Sequence, residues 1–323
     1  MANAVNHLLG RLGPEVEDHE EGMYYTRFAD PAIEAFLLFS QSRPSQNLGF
    51  IDAKATTLDI TINNQDLTIA QSPAVLSSNR SGGTTGAVVW KVTPLFASWL
   101  SSPSNILFQT GIASATSTVL ELGCGVSALV GLATAPLVKR YVLTDQNYVA
   151  KLVDLNIAQN KRKAPPPSTS RKSKANKAAA AVPASSSSAA ASGNVEFHSL
   201  DWETDTPHAT LCIPDVVVAC DCIYNDALIP PLVQTSVEAC RLKLGSAEHN
   251  KGAGEGVLSV TMPCVCIVAQ QLRDPEIFEA WLKEFMVKGF RVWRLPDEEL
   301  PEGLRESSGF VVHIGILQEA FES

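Results

Sequence analysis

The sequence predicts an α/β fold built on a doubly wound, Rossmann-like sheet, and three observations carry that expectation. From Thr118 onward, short apolar runs alternate with helix-periodic stretches, as in a parallel sheet covered by helices. The runs STVLEL, RYVLTD and PDVVVAC are apolar on both faces, which suits strands buried from both sides. Finally, Glu121-Leu122-Gly123-Cys124-Gly125 falls at the first strand-to-helix junction, with Asp145 at the end of the next strand.

Ahead of this core, Pro31 to Phe39 reads as a short helix. Thr56 to Ala70 alternates apolar and polar residues about a turn at Asn63 to Asp66, a hairpin signal with Leu58, Ile60 and Ile62 on one face. Ser77 to Gly86 is a Ser/Gly/Thr-rich loop. WKVTPLFASWL places Val92, Leu95, Phe96, Trp99 and Leu100 at helical spacing, with Pro94 tolerable only in the first turn. Residues 1–89 therefore read as an extension carrying a hairpin, and 90–323 as the core domain.

Within the core, STVLEL is followed by a small-residue helix over Val126 to Pro136, then the strand RYVLTD. A helix over Val149 to Asn160 comes next, with Leu152, Leu155 and Ile157 expected inward. Further strands are expected at VEFHSL, PDVVVAC, GVLSVTM, FRVWRL and GFVVHIGILQ, with helices around Leu228 to Leu242 and Pro275 to Lys288. That makes seven strand-like runs and no internal repeat.

Composition narrows the function classes. The 323 residues are 45% apolar and 18% charged, enough apolar surface to exclude wholesale disorder. No apolar run approaches the roughly 20 residues of a membrane helix, and Met1 to Gly13 lacks the pattern of a signal peptide. Seven cysteines, an odd number set mostly in apolar runs, suggest reduced thiols and a cytoplasmic, or additionally nuclear, location. Residues 161–194 hold seven Lys or Arg and no acid, in a Pro-, Ser- and Ala-rich context that reads as a disordered basic insertion. The remaining 18 basic and 34 acidic residues give the folded part a net charge of −16. Such a surface repels nucleic acid and attracts Lys- and Arg-rich proteins.

The chemistry concentrates at strand ends. Gly123 and Gly125 let backbone approach a ligand, and Asp145, 22 residues beyond Gly123, is placed to accept the hydroxyls of a ribose. A nucleoside-bearing cofactor follows, either a dinucleotide or S-adenosylmethionine. Glu121 ahead of the glycines suits a cationic ligand and disfavours a pyrophosphate. Asp201-Trp202 places a ring where adenine can stack. Asp221-Cys222-Ile223-Tyr224 closes the fourth strand, where catalytic groups gather. Ala128 stands at the third position of the G-x-G-x-x-G pattern.

At Trp90, ELGCGVSALVGL, VLTD, LDW and ACDCIYN the sequence resembles the seven-strand, class I protein-lysine methyltransferases grouped with methyltransferase-like protein 21, and their fungal ribosomal branch, over about Gly86 to Leu317. The resemblance implies a seven-stranded sheet whose last strand is antiparallel, and S-adenosyl-L-methionine as cofactor. It implies that Trp90, Glu121, Gly123, Cys124, Gly125, Asp145, Trp202 and Cys220 line the cofactor site, and that Asp221 and Tyr224 form the D-x-x-Y catalytic motif. In that role Asp221 anchors the incoming ammonium and the Tyr224 ring walls it by cation–π contact. The implied partner is a basic, ribosomal protein, met by a monomer. No membrane and no direct nucleic-acid substrate are expected. The long insertion and the absence of a Tyr near Gln270 to Arg273 depart from the family pattern.

Two rivals remain at this level, a nicotinamide-dependent oxidoreductase and a non-catalytic module that binds ribosomes. The C-x-C pairs Cys220/Cys222 and Cys264/Cys266 do not have zinc spacing, and the six histidines form no ligand pattern, so no metal is expected. Nucleophile-elbow, P-loop and HExxH patterns are absent.

Overall fold

The computed structural model describes residues 2–16, 30–45, 49–79, 83–161, 193–251 and 262–322. Helix α1 (Ala2–Leu9) and a two-residue strand β1 (Glu15–Val16) come first. Next are α2 (Pro31–Ser40), the hairpin β2 (Thr57–Ile62) and β3 (Gln65–Ala70), α3 (Pro73–Leu76), α4 (Val92–Leu100) and α5 (Ile106–Thr110). Then the chain alternates through β4 (Thr118–Leu122), α6 (Leu129–Thr134), β5 (Arg140–Asp145), α7 (Ala150–Gln159), β6 (Val195–Ser199), β7 (Val216–Cys220), α8 (Ile229–Lys251), β8 (Val265–Gln271) and α9 (Pro275–Val287). It ends with β9 (Phe290–Arg294), β10 (Phe310–Leu317) and α10 (Glu319–Glu322).

One sheet runs β1-β9-β10-β8-β7-β4-β5-β6. Six of the seven expected runs form strands of this sheet, the seventh strand being Val265–Gln271, and the short β1, which pairs antiparallel with β9, adds an eighth. β10 is antiparallel to both β8 and β9, while β4, β5, β6, β7 and β8 are mutually parallel. From β4 the chain winds outward through β5 to β6, then returns to β4's other side with β7 and β8. The strand order reverses there, opening a crevice at the carboxyl ends of β4 and β7.

Alternation within the strands divides two cores. Val119 of β4 and Val216 and Val218 of β7 face α4, α6 and the hairpin. Leu120, Leu122, Val217 and Ala219 face α2, α8 and α9. Helix α9 shows the local logic: Asp274 caps it by accepting from the Glu276 and Ile277 amides at 2.8 and 3.3 Å, and Pro275 pre-sets the first turn. Phe278, Trp281, Leu282 and Phe285 then form one buried stripe.

Some sequence expectations shift. Helix α6 begins at Leu129 rather than Val126, because the Val126 amide bonds the Gly86 carbonyl at 2.8 Å and Ala128 adopts a left-handed φ of 53°. In α7 the inward stripe is Val153, Asn156 and Ile157, while Leu155 is 47% exposed. A polar residue, Asn156, takes the inward position that apolarity assigned to Leu155. The fifth parallel strand is Val265–Gln271. The expected strand GVLSVTM lies outside the described residues except for Met262, which precedes β8. The hairpin turn is only Asn63-Asn64, both at positive φ, which matches strand twist, so Gln65 and Asp66 already belong to β3. The basic insertion lies outside the described residues apart from its ends, of which Asn194 is pinned by bonds from Nδ2 to the Ala135 and Val138 carbonyls.

The N-terminal segments do not stand off from the sheet. Ile62, Leu67 and Ile69 of the hairpin join the core that holds Phe96 and Leu143. Asn156 ties the hairpin to the glycine loop: it accepts from the Ala70 amide at 2.7 Å and donates to the Ala70 and Val126 carbonyls at 2.9 and 2.7 Å. Asn156→Ala strands these buried groups and is expected to cost about 2–4 kcal/mol, read as a lower denaturation midpoint at unchanged slope.

Candidate active site

At the switch between β4 and β7 the chain forms a cleft of ≈ 880 Å³, counted to its open mouth, and each residue expected at the cofactor site or in the D-x-x-Y motif lines it, while Ala128 does not. The β4–α6 turn supplies Glu121, Gly123, Cys124 and Gly125. β5 ends on Asp145, the segment after β6 brings Trp202, and β7 ends on Cys220, Asp221 and Tyr224. Trp90 enters from the segment ahead of α4.

The glycines are required by contact. Gly123 has φ 75°, and a Cβ there would stand 2.7 Å from Cys222 Sγ and 2.9 Å from the Trp202 ring. Gly125 has φ 58° and would meet the Gly86 carbonyl oxygen at 3.0 Å. Asp145 holds this turn open, its Oδ2 accepting from the Gly125 amide at 2.8 Å and its Oδ1 from the Gln146 amide at 2.7 Å. The close helix–strand approach expected at Ala128 occurs instead at Gly131, where a Cβ would lie 2.8 Å from Leu143 and 2.9 Å from Tyr141.

Two acids dominate the electrostatics. Burial pushes Glu121 up to about 8; the Tyr141 hydroxyl opposes the shift and the Asp145 charge adds to it. Burial likewise raises Asp145 to about 6, against the two backbone amides that favour its ionised form. Glu121 Oε2 and Trp202 Nε1 are buried without a hydrogen-bond partner, polar groups that a ligand is suited to satisfy. The thiols of Cys124, Cys220 and Cys222 are driven well above their ordinary range by burial, so they pack rather than react.

Sequence reasoning missed part of the wall. Thr85 and Gly86, from the Ser/Gly/Thr-rich loop, face the glycine turn, and Tyr148 follows Asp145. A Cβ on Gly86 would stand 2.8 Å from the Tyr148 hydroxyl. Trp90 Nε1 donates to the Thr85 carbonyl at 3.0 Å, and the Thr85 hydroxyl donates to Tyr224 at 2.8 Å. Tyr224, 39% exposed, stands at the mouth. The Asp221 carboxylate, expected to be free for an ammonium, is already paired: Arg273 grips it with Nη1 and Nη2, each at 2.6 Å. The sequence carried no signal for this pair, whose members lie 52 residues apart.

A lysine methyltransferase family model matches residues 69–175 and 178–243, more than half of the chain and nearly all of the cleft. The chain belongs to the lysine methyltransferase family. Ribosomal lysine N-methyltransferase 5 of Zygosaccharomyces rouxii is 30% identical over 69% of this chain and 71% of its own length. That of Vanderwaltozyma polyspora is 26% identical over 91% and 97%. A Schizosaccharomyces pombe protein named diaminohydroxyphosphoribosylamino-pyrimidine deaminase is 30% identical over 77% of this chain, which spans about half (49%) of that relative. No metal-holding group of three or more His, Cys, Asp or Glu occurs among the described residues.

The methyltransferase uses S-adenosylmethionine, and its cleft fits that cofactor. Asp145 would suit ribose hydroxyls, the Trp202 ring an adenine, and Glu121, whose Oε2 has no partner among the described residues, a positive charge. Two buried acids beside the glycine turn are unsuited to a pyrophosphate, and the oxidoreductase reading is not favoured. Calorimetric titration with S-adenosylmethionine at pH 7, in buffers of different ionisation enthalpy, is expected to show release of up to about one proton, because the cationic ligand ionises Glu121. Affinity for S-adenosylhomocysteine is expected to fall about tenfold per pH unit below about 6, where Asp145 takes up a proton in the empty site.

Proposed function

We propose that this methyltransferase modifies a lysine of a basic, ribosomal protein, received at the Tyr224 mouth of the cleft. The observation that carries the reading is that one cleft joins the glycine turn, with the buried acids Glu121 and Asp145, to an aromatic lining of Trp90, Trp202 and Tyr224 and to Asp221, which Arg273 pairs. The relatives' printed names support a ribosomal target, and the −16 charge outside the insertion supports a Lys-rich partner.

Bound S-adenosylmethionine supplies a methyl group activated on a sulfonium. The protein's own work is alignment and exclusion of water, since an in-line displacement needs little else. Tyr224 stays a neutral phenol because burial raises its hydroxyl, and the Thr85 bond fixes its ring at the entrance. Trp90 and Trp202 close the apolar sides. A lysine amine must arrive, or become, unprotonated, and a partly desolvated channel favours the neutral form.

All seven cysteines are free and buried, which supports a reducing compartment, the cytoplasm or the nucleus. No helix among the described residues is long and apolar enough to cross a membrane.

Incubation with tritiated S-adenosylmethionine and a ribosomal-protein fraction from cells lacking this gene is expected to label one band. Tyr224→Ala is expected to lower kcat/KM about tenfold while sparing S-adenosylhomocysteine binding. Labelling confined to non-ribosomal proteins would relocate the substrate, and no labelling despite cofactor binding would favour the non-catalytic reading.

A further inference from the structure

We infer that Arg273 is a positioning residue for the acceptor amine: a built-in counter-ion that keeps Asp221 charge-paired, so that the lysine meets the Tyr224 ring beside a neutral pair and not beside an open carboxylate. The inference rests on the methyl-acceptor reading of the cleft.

Asp221 is held on every side. It follows β7 in the left-handed region, with φ 60°, a conformation uncommon for residues with a Cβ but one that Asp tolerates. Its amide donates to the Ala269 carbonyl at 2.7 Å. Oδ1 accepts from the Gln271 amide at 3.2 Å and from Arg273 Nη1 at 2.6 Å, while Oδ2 accepts from Nη2 at 2.6 Å. The Asp221 side chain is 2% exposed and that of Arg273 24%.

The guanidinium is clamped in turn. Nη2 also donates to Gln271 Oε1 at 3.0 Å, and its carbon lies 4.9 Å from the centre of the Trp90 ring. Gly49, at φ 89°, closes over it: a Cβ there would stand 2.8 Å from Nη2. That segment is fastened by the Lys91 amide on the Gly49 carbonyl at 2.7 Å and the Ile51 amide on the Val89 carbonyl at 3.1 Å. An ammonium that displaced Arg273 would break a bidentate pair, a further hydrogen bond and a ring contact to form one point contact.

The pairing matters because methyl transfer needs the free base. An unpaired carboxylate beside the amine would hold its proton, whereas a matched ion pair does so far less. The other titratable groups lining the cleft are the carboxyls of Glu121, Asp145 and Asp201, the phenols of Tyr148 and Tyr224 and the thiols of Cys124, Cys220 and Cys222. All eight remain in the variants below.

The test compares the wild type, Arg273→Met and Arg273→Lys, with S-adenosylhomocysteine calorimetry as the check on folding. Methyl transfer from tritiated S-adenosylmethionine to the ribosomal-protein fraction is followed from about pH 6 to 10. Arg273→Met is expected to bind S-adenosylhomocysteine normally while the acid limb of kcat moves up by about one pH unit or more, because the freed carboxylate stabilises the ammonium. Arg273→Lys, which keeps a positive charge beside the carboxylate without the fork, is expected to hold the limb nearer the wild-type position. An unshifted limb in a folded Arg273→Met would overturn the inference, as would an equal shift in a folded Arg273→Lys. If Arg273→Met does not fold, Arg273→Gln takes its place and is judged by the same criterion. Failure of the functional reading is distinguishable, since the wild type would then transfer no methyl group while still binding S-adenosylhomocysteine.

Discussion

The site depends on a backbone contact between two segments far apart in sequence. The Gly86 carbonyl accepts from the Val126 amide at 2.8 Å, and a side chain on either Gly86 or Gly125 would intrude on the other. With the two chains pressed together, Asp145 reaches the Gly125 amide, Thr85 reaches Tyr224, and Trp90 is drawn in by the Thr85 carbonyl. The cleft is therefore not a property of the sheet alone. Its roof comes from the chain ahead of α4, and Asn156 fastens that chain to the glycine loop through the hairpin.

The two ends of the cleft treat charge in opposite ways. Around the glycine turn, Glu121 and Asp145 are buried without cationic side chains as partners, and desolvation raises both. A positively charged ligand favours the ionised form of both, and Glu121 gives up the proton it holds in the empty site at neutral pH. At the acceptor end the carboxylate carries its own fixed cation. One arrangement favours a cation and the other already holds one, which is the contrast that the proposed sulfonium and unprotonated amine would each need.

Much of this was legible because local chemistry dictated it. The proline starts of α2 and α9 and the position of the hairpin each have a steric or hydrogen-bonding cause that acts within a few residues, and the doubly apolar runs mark strands buried on both faces. Reading failed where a polar group replaced an apolar one in the core. Asn156 faces inward to satisfy three backbone groups, so Leu155 is turned to solvent. It failed also at β8, where a neighbouring apolar run competed for the same strand and periodicity had no means to choose.

The sequence by itself determined the class of fold, the glycine turn with its acidic neighbours and the nucleoside character of the ligand, because each rests on spacing along adjacent strands and turns. Tertiary structure decided what those residues meet: Gly86 against Gly125, Thr85 on Tyr224, and above all Arg273 on Asp221. Ion pairs and backbone contacts between distant segments leave no periodic trace. They are set by the register of β7 beside β8 and by the path of the chain over Trp90, and both exist only once the sheet has closed.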